Sequence, residues 1–202
     1  DNPGLLAHAR ADALLCVYCW PSAPAWCNLK GLGAQRERFL IESLQALHDE
    51  LQAMGQGLLV LRTDPRVAIV QLVERLSISR VGSSAVPGHY EEQQLCGVLD
   101  KLRVPLLVHQ GNTLFEEHQL PFARGNLPRH FTPFRQQLET LSVNTPLPAP
   151  RQLPPPPKGL SFPVQPASKT IPHPAFPMRG GSSEGQRRLR HWMFERRRVA
   201  DY

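Results

Sequence analysis

The sequence has no apolar run long enough to cross a lipid bilayer. Of its 202 residues 41% are hydrophobic, but no run approaches the roughly 20 apolar residues that a membrane-spanning helix needs. The longest runs, such as ALLCVYCW and GLLVL, have the length of buried strands. The chain starts with DNPGLL, without an initiator Met and without the pattern of a signal peptide. We therefore expect a globular protein without membrane segments. A cytoplasmic location is expected as well, although the start of the sequence looks truncated.

Familiar catalytic and metal-binding motifs are missing as well. The sequence contains no G-x-G-x-x-G, no P-loop and no H-E-x-x-H, and its eight histidines are scattered. Cys16 and Cys19 form a C-x-x-C, but they lie in an apolar run that reads as a strand, where positions three apart point to opposite faces. No second cysteine pair completes a zinc pattern. We expect no metal site, and we expect the four cysteines to be buried, reduced thiols.

The net charge of +6 lies almost entirely after residue 143. Residues 1–143 hold 13 Lys and Arg against 14 Asp and Glu, whereas residues 144–178 hold three basic residues and no acid. Residues 179–202 hold seven Arg against three acids. Affinity for nucleic acid through phosphates requires basic residues clustered on one surface. The first 143 residues are therefore not predicted to bind nucleic acid by charge.

Short apolar runs alternate with helical patterns over the first 110 residues. Strands are predicted within Ala11–Trp20, 57–62, 78–84 and 104–109. Helices are predicted over 34–54, with Gly55 as the C-cap glycine, from Asp64-Pro65, and over Glu91–Arg103. Apolar strands separated by single helices indicate a parallel sheet covered on both faces. The predicted fold class is α/β, a doubly wound, Rossmann-like parallel sheet with ligands at the carboxyl ends of its strands. Because DNP resembles a helix start, the first, central strand is expected to be missing.

The last third of the chain changes character. A helix over Phe134–Leu141 is predicted, with Thr132-Pro133 as its cap. Between residues 146 and 177 lie 12 of the 21 prolines, which predict an extended linker. A final helix from residue 180 carries Leu189, Trp192, Met193 and Val199 with nothing to pack against. We therefore predict an α/β domain at 1–143, an interdomain linker at 144–178, and the first helix of a second, helical domain at 179–202.

Eight segments together resemble the N-terminal half of the photolyase/cryptochrome family. They are DNPGLL with VYCW-P, QRERFLIESLQAL, GLLVLRTDP, HYEEQQLCGVL, TLFEEHQLPF, LPRHFTPFRQQLE, PLPAP and FPMRGGSSEGQRRL. Their order and spacing are similar from end to end, and LPF…LPRHFTPFRQQLE resembles the DASH-type cryptochromes most. The family's R-x-D-L-R turn before DN is absent, which removes several expected contacts.

The resemblance implies an antenna-type domain whose parent protein has further parts. In that family the α/β domain binds a methenyltetrahydrofolate or deazaflavin antenna chromophore, and a helical domain of the same polypeptide binds FAD. The parent would bind UV-damaged, single-stranded DNA and split cyclobutane pyrimidine dimers by light-driven electron transfer from FAD. Tyr202 would stand at the edge of the FAD site. We do not expect this chain alone to catalyse repair.

The resemblance also implies candidate residues for the antenna pocket. The strand within Ala11–Trp20 matches the family's second strand, whose end lines the pocket and here comprises Tyr18, Cys19 and Trp20. The Trp20 indole would stack on a ring or block the pocket. Arg36 matches an arginine that faces the chromophore, although a solvated helix charge explains it equally well. Glu91 or Glu92 matches an acidic position that contacts folate, since two carboxylate oxygens can accept paired N–H donors. Both carboxylates also suit the positive end of a helix.

Two other classes of function remain open at this level. The same scaffold can act as a photosensory or interaction module that repairs nothing. An unrelated nucleotide-binding α/β domain is the third interpretation, with VGSSAVPG as a weak candidate for its phosphate loop.

Overall fold

The computed structural model describes residues 2–20, 31–86 and 88–196. Strands and helices alternate through the first half of the chain, as the apolar runs predict. Their bounds in chain order are α1 Pro3–His8, β1 Cys16–Cys19, α2 Ala34–Ala53, β2 Leu58–Leu61, α3 Pro65–Leu76, β3 Val81–Ser84, α4 His89–Leu99 and β4 Leu106–His109. Short 3-10 helices follow at Glu117–Gln119 and Arg124–Asn126, then α5 at Phe131–Leu138 and α6 at Ser182–Arg190, which continues as a π-helical turn at His191–Glu195.

The four strands pair in two parallel ladders. β1 pairs with β2 from Cys16 opposite Leu58 to Cys19 opposite Leu61. β3 pairs with β4 from Val81 opposite Leu106. Parallel pairing with intervening helices confirms the predicted parallel α/β class. The ladders are two-stranded and separate within the described residues, and the absence of a central strand stays a prediction.

The chain divides into two compact units, and the division falls inside α3. The first unit comprises Asp1–Arg10 and Ile69–Pro150, with α1 against β3 and β4. The second unit comprises Ala11–Ala68 and Arg151–Tyr202, with α2 against β2 and α6 against α2. The domain boundaries predicted at 143 and 178 remain a prediction.

Helix α2 contributes buried apolar side chains to the core of the second unit, because its apolar residues recur at three-four spacing. Ile41, Leu44 and Leu51 are buried, and burying each such side chain contributes about 1.5–3 kcal/mol. The helix ends before Gly55, whose φ of +84° is a conformation that favours glycine. Met54 is the C-cap, and Gly55 directly follows it.

Two helix starts show how capping works in this chain. Asp64 begins α3 as predicted: its Oδ1 accepts a hydrogen bond from the Arg66 amide at 2.8 Å, and Pro65 opens the helix. Helix α5 begins at Phe131, with His130 as its N-cap, so the predicted Thr132-Pro133 cap is wrong. Proline fits anywhere in a first turn, because those amides lack partners inside the helix.

The linker is extended, as its prolines predict, whereas the final helix contacts α2 and does not stand alone as predicted. Residues 142–181 contain no regular helix or strand in the described chain, apart from one isolated bridge between His173 and Phe176. In the last helical segment Leu189 is 59% exposed and Met193 is 44% exposed. Val199, predicted on the same face, lies outside the described residues. Across the described ranges, no helix has both the length and the apolarity to cross a bilayer.

The three cysteines among the described residues are less buried than expected, and Cys27 lies outside those residues. Cys16 and Cys19 are half-buried on β1, whereas Cys96 is exposed, so the expectation of buried thiols is wrong for Cys96. The side chain that α4 buries is Val98, and two residues along a helix turn about 200° around its axis. Cys96 therefore lies on the solvent side of α4.

Candidate functional site

Two of the predicted antenna residues meet at the carboxyl end of the β1–β2 ladder. Tyr18 stands in register with Val60. The Trp20 amide donates a hydrogen bond to the Leu61 carbonyl at 2.7 Å, which extends the ladder by one residue. Because side chains alternate along a strand, Tyr18 and Trp20 point to the same face. This end of a parallel sheet is where open α/β folds bind their ligands.

Arg62 covers one face of the Trp20 indole. The central carbon of its guanidinium lies 4.2 Å from the ring centroid, which is a cation–π contact. Arg62 itself is exposed, while Trp20 is half-buried. The sequence left open whether the indole stacks on a ligand or blocks the pocket, and in this structure the arginine occupies the stacking position. Sequence reasoning missed Arg62, although the β1–β2 register places it beside Trp20.

Tyr18 and Cys19 are uncharged at neutral pH, because the pKa of each group is raised. Burial raises the pKa of Tyr18, and the neighbouring Cys19 thiolate would raise that pKa further. Burial, and after it the Asp64 carboxylate, raise the pKa of Cys19. Asp64 itself is held by the Arg66 guanidinium at 2.6 Å. The strand end therefore presents a neutral phenol, which donates a hydrogen bond, beside an aromatic face and an exposed guanidinium.

Arg36 and Arg38 have opposite environments on α2. Arg36 is exposed in the first turn of the helix, which agrees with a solvated charge. Arg38 is only 1% exposed and forms an ion pair with Glu42 at 2.8 Å. Sequence reasoning selected the exposed arginine and missed the buried one. The i,i+4 spacing of Arg38 and Glu42 was the available signal.

Glu91 and Glu92 lie in the first turn of α4, in the first unit, and both are exposed. Gly88 is the N-cap, and the Glu91 carboxylate folds back beside it. Negative charge at a helix N-terminus is favourable, so the capping interpretation fits the geometry. A role in ligand binding stays a prediction. Tyr202 lies outside the described residues.

The predicted antenna residues line neither of two shallow hollows in the described chain. One hollow, of about 270 Å³, lies where α2 meets the start of α6; the other, of about 330 Å³, lies beside α5. The ten residues that directly follow Trp20 lie outside the described ranges. The Tyr18 hydroxyl, the Trp20 ring face and the Arg62 guanidinium together suit a planar aromatic ligand, provided that the Arg62 side chain moves off the indole. Among the described residues, no group of three or more His, Cys, Asp or Glu side chains is placed to bind a metal ion.

Comparison with known proteins assigns the family. The model of the DNA photolyase family matches residues 1–154. The chain therefore belongs to the DNA photolyase family, and within it resembles the DASH-type cryptochromes. It is 34% identical to the cryptochrome DASH of Vibrio parahaemolyticus over 170 residues, which cover 81% of this chain and 38% of that protein. It is 33% identical to the cryptochrome DASH of Gloeobacter violaceus over 211 residues, covering 96% of this chain and 41% of that protein.

A solved structure agrees with these relatives. The crystal structure of a Synechocystis cryptochrome superposes with a TM-score of 0.82 and 27% sequence identity, covering 94% of this chain and 42% of that protein. The chain thus spans about two fifths of the length of the relatives it matches.

Family membership also decides against the unrelated nucleotide-binding domain. Its proposed phosphate loop begins at residue 81, but Val81–Ser84 form strand β3 and pair with β4. A phosphate loop instead needs free backbone amides after the strand.

Proposed function

We propose that this chain is the antenna-type domain of a flavin-dependent DNA photolyase or DASH-type cryptochrome. The observation that carries the proposal is the match of the DNA photolyase family model to residues 1–154. The parent protein would bind UV-damaged, single-stranded DNA and split cyclobutane pyrimidine dimers by light-driven electron transfer from FAD. Because the chain spans about two fifths of its relatives, that chemistry is assigned to the remaining part of the parent.

The strand end at Tyr18 and Trp20 is the proposed antenna site. A pterin or deazaflavin ring would stack on the Trp20 indole in place of the Arg62 guanidinium, and the neutral Tyr18 hydroxyl would donate a hydrogen bond to the ring edge. Glu91 and Glu92, which lie in the first unit, stay separate candidates that rest on the resemblance alone, as acceptors for the paired N–H groups of a folate. Arg36 would add a positive charge near the chromophore.

The antenna proposal is tested on this chain by direct binding. Methenyltetrahydrofolate and 8-hydroxydeazaflavin would be titrated separately, with fluorescence anisotropy of the chromophore as the readout. Trp20→Ala should weaken binding about tenfold through the lost stacking area, whereas Trp192→Ala, on the final helix, serves as the matched control. Absence of binding of either compound at high micromolar concentration would exclude the antenna site and leave the family assignment untouched.

Arg62→Ala tells whether the guanidinium competes with the chromophore. If it occupies the stacking position, its removal should tighten binding several-fold. Weaker binding would instead make Arg62 a ligand of the chromophore.

Repair is tested on a longer polypeptide that includes the segment after Tyr202. It should be yellow with flavin absorption, and it should split thymine dimers in single-stranded DNA under blue light. A colourless protein after reconstitution with FAD contradicts the proposal. Bound flavin without repair would favour the second candidate, a blue-light signalling module, which the cryptochrome names of the relatives also favour.

A further inference from the structure

A row of polar side chains on α2 holds the main chain of the linker. We call Gln35, Arg38 and Glu42 the docking stripe; their three-four spacing places them on one face of the helix. The Gln35 side chain donates from Nε2 to the Ile171 carbonyl at 2.8 Å, and its Oε1 accepts from the His173 amide at 3.2 Å. One side-chain amide thus pairs with two main-chain groups two residues apart, as a neighbouring β-strand would.

Arg38 makes the densest set of contacts in the stripe. Its Nη2 donates to the Met178 carbonyl at 2.7 Å and to the Phe176 carbonyl at 3.3 Å. Its Nη1 donates to both carboxylate oxygens of Glu42, at 2.8 and 3.0 Å. Its Nε donates to Gln35 at 3.3 Å. A guanidinium that is 1% exposed needs such partners, because an unpaired buried charge costs several kcal/mol.

Glu42 continues the row toward α6. Its Oε2 accepts from the Gly180 amide at 2.8 Å. Gly180 lies so close to α2 that a Cβ there would overlap the Phe39 carbonyl oxygen and the Ser43 amide. The close approach therefore requires glycine at position 180. Helix α6 begins two residues later.

The contacts follow one order along both segments. Gln35 holds residues 171 and 173, Arg38 holds 176 and 178, and Glu42 holds 180. The linker therefore runs in the same direction as α2, and each of these hydrogen bonds engages its main chain. A flexible spacer has no such register with a neighbouring helix.

We propose that Arg38 and Glu42 are positioning residues that dock residues 171–180, the end of the linker and the two residues after it, on α2 and thereby set where α6 and the following chain begin. The linker is then a fixed strap. The inference goes beyond the proposed function, since it holds whether the parent repairs DNA or signals.

Amide hydrogen exchange on this chain tests the proposal at single residues. The His173 and Gly180 amides donate to the stripe, whereas the Leu153 amide, also in the linker, donates to the Met54 carbonyl at 3.0 Å and serves as an internal reference. In Arg38→Met, exchange at His173 and Gly180 should accelerate at least about tenfold. The variant loses the charged hydrogen bonds from Arg38 to the two carbonyls that lie between these amides. Exchange at Leu153 should change less than about twofold.

Gly180→Ala perturbs the same contact from the linker side without altering α2. It should release the same two amides, whereas Gly185→Ala, in an open position of α6, should not. Arg36→Met is the matched control for Arg38→Met. Arg38→Lys keeps the charge opposite Glu42 but presents no planar fork for the two carbonyls. In this variant the same two amides should therefore exchange at rates between those of the unchanged chain and those of Arg38→Met.

The outcomes separate positioning from general stability. Unchanged exchange at His173 and Gly180 in Arg38→Met or in Gly180→Ala would overturn the proposal. So would equal acceleration at Leu153 and across the β1–β2 ladder, which would make Arg38 an ordinary contributor to stability. If Arg38→Met fails to fold, Gly180→Ala alone decides.

Discussion

The buried amide of Gln56 offers the sharpest stability prediction. Gln56 is 5% exposed, and its Nε2 donates to the Leu14 carbonyl at 2.6 Å and to the Pro154 carbonyl at 2.7 Å. Its Oε1 accepts from the Gly57 amide at 3.0 Å. One side chain thereby joins the segment before β1, the start of β2 and the linker. Gln56→Leu keeps the approximate size and removes all three hydrogen bonds.

The expected loss follows from the groups left behind. Gly57 and Pro154 are buried, and each buried polar group without a partner costs about 1–3 kcal/mol. The apolar leucine recovers about 1–2 kcal/mol through its own burial. The net destabilisation of the second unit should therefore be about 2 kcal/mol, which corresponds to a melting temperature roughly 4–8 °C lower.

Urea unfolding followed by far-UV circular dichroism measures this change. Gln52→Leu is the matched control, because Gln52 is exposed near the end of α2 and its replacement should shift stability by less than about 0.5 kcal/mol. If Gln56→Leu proves as stable as this control, the three hydrogen bonds do not hold the linker to the strands, and the reasoning fails.

Two further predictions concern local chemistry. Burial raises the pKa of the Cys16 and Cys19 thiols, so less thiolate is present at pH 8. Alkylation of these two thiols should therefore be about tenfold or more slower than alkylation of exposed Cys96. Peptide mapping by mass spectrometry gives the rates, and equal rates would contradict the burial. Gly55→Ala should destabilise the chain by about 1 kcal/mol because of its φ of +84°. Gly185→Ala, inside α6, should be neutral or slightly stabilising in the same thermal unfolding assay, and a neutral Gly55→Ala would contradict the left-handed backbone conformation at Gly55.

Local patterns predicted the elements well where neighbouring residues decide the outcome. The apolar runs located β1 and β2 within a few residues, and Asp64 with Pro65 marked the start of α3. Helix α5 begins at Phe131, three residues before the predicted start at Phe134. Proline is compatible with several positions of a first turn, so the motif does not specify one of them.

The candidate site was predictable only in part. Tyr18 and Trp20 share a strand end because they are two residues apart on β1. The Arg62 partner required the register of β1 against β2, which two separate runs do not reveal. Local sequence patterns also cannot tell whether Glu91 takes part in ligand binding with these residues, because α4 belongs to the first unit.

The sequence by itself determined the alternation of strands and helices, the extended linker and the family. Hydrophobic period, proline content and motif order can each be read along the chain without knowledge of its fold. Tertiary structure decided which polar side chains matter. Arg36 and Arg38 differ by two positions on one helix, yet only Arg38 is buried, because it meets a carbonyl 140 residues away. A burial that depends on such a distant partner cannot be read from the residues beside it.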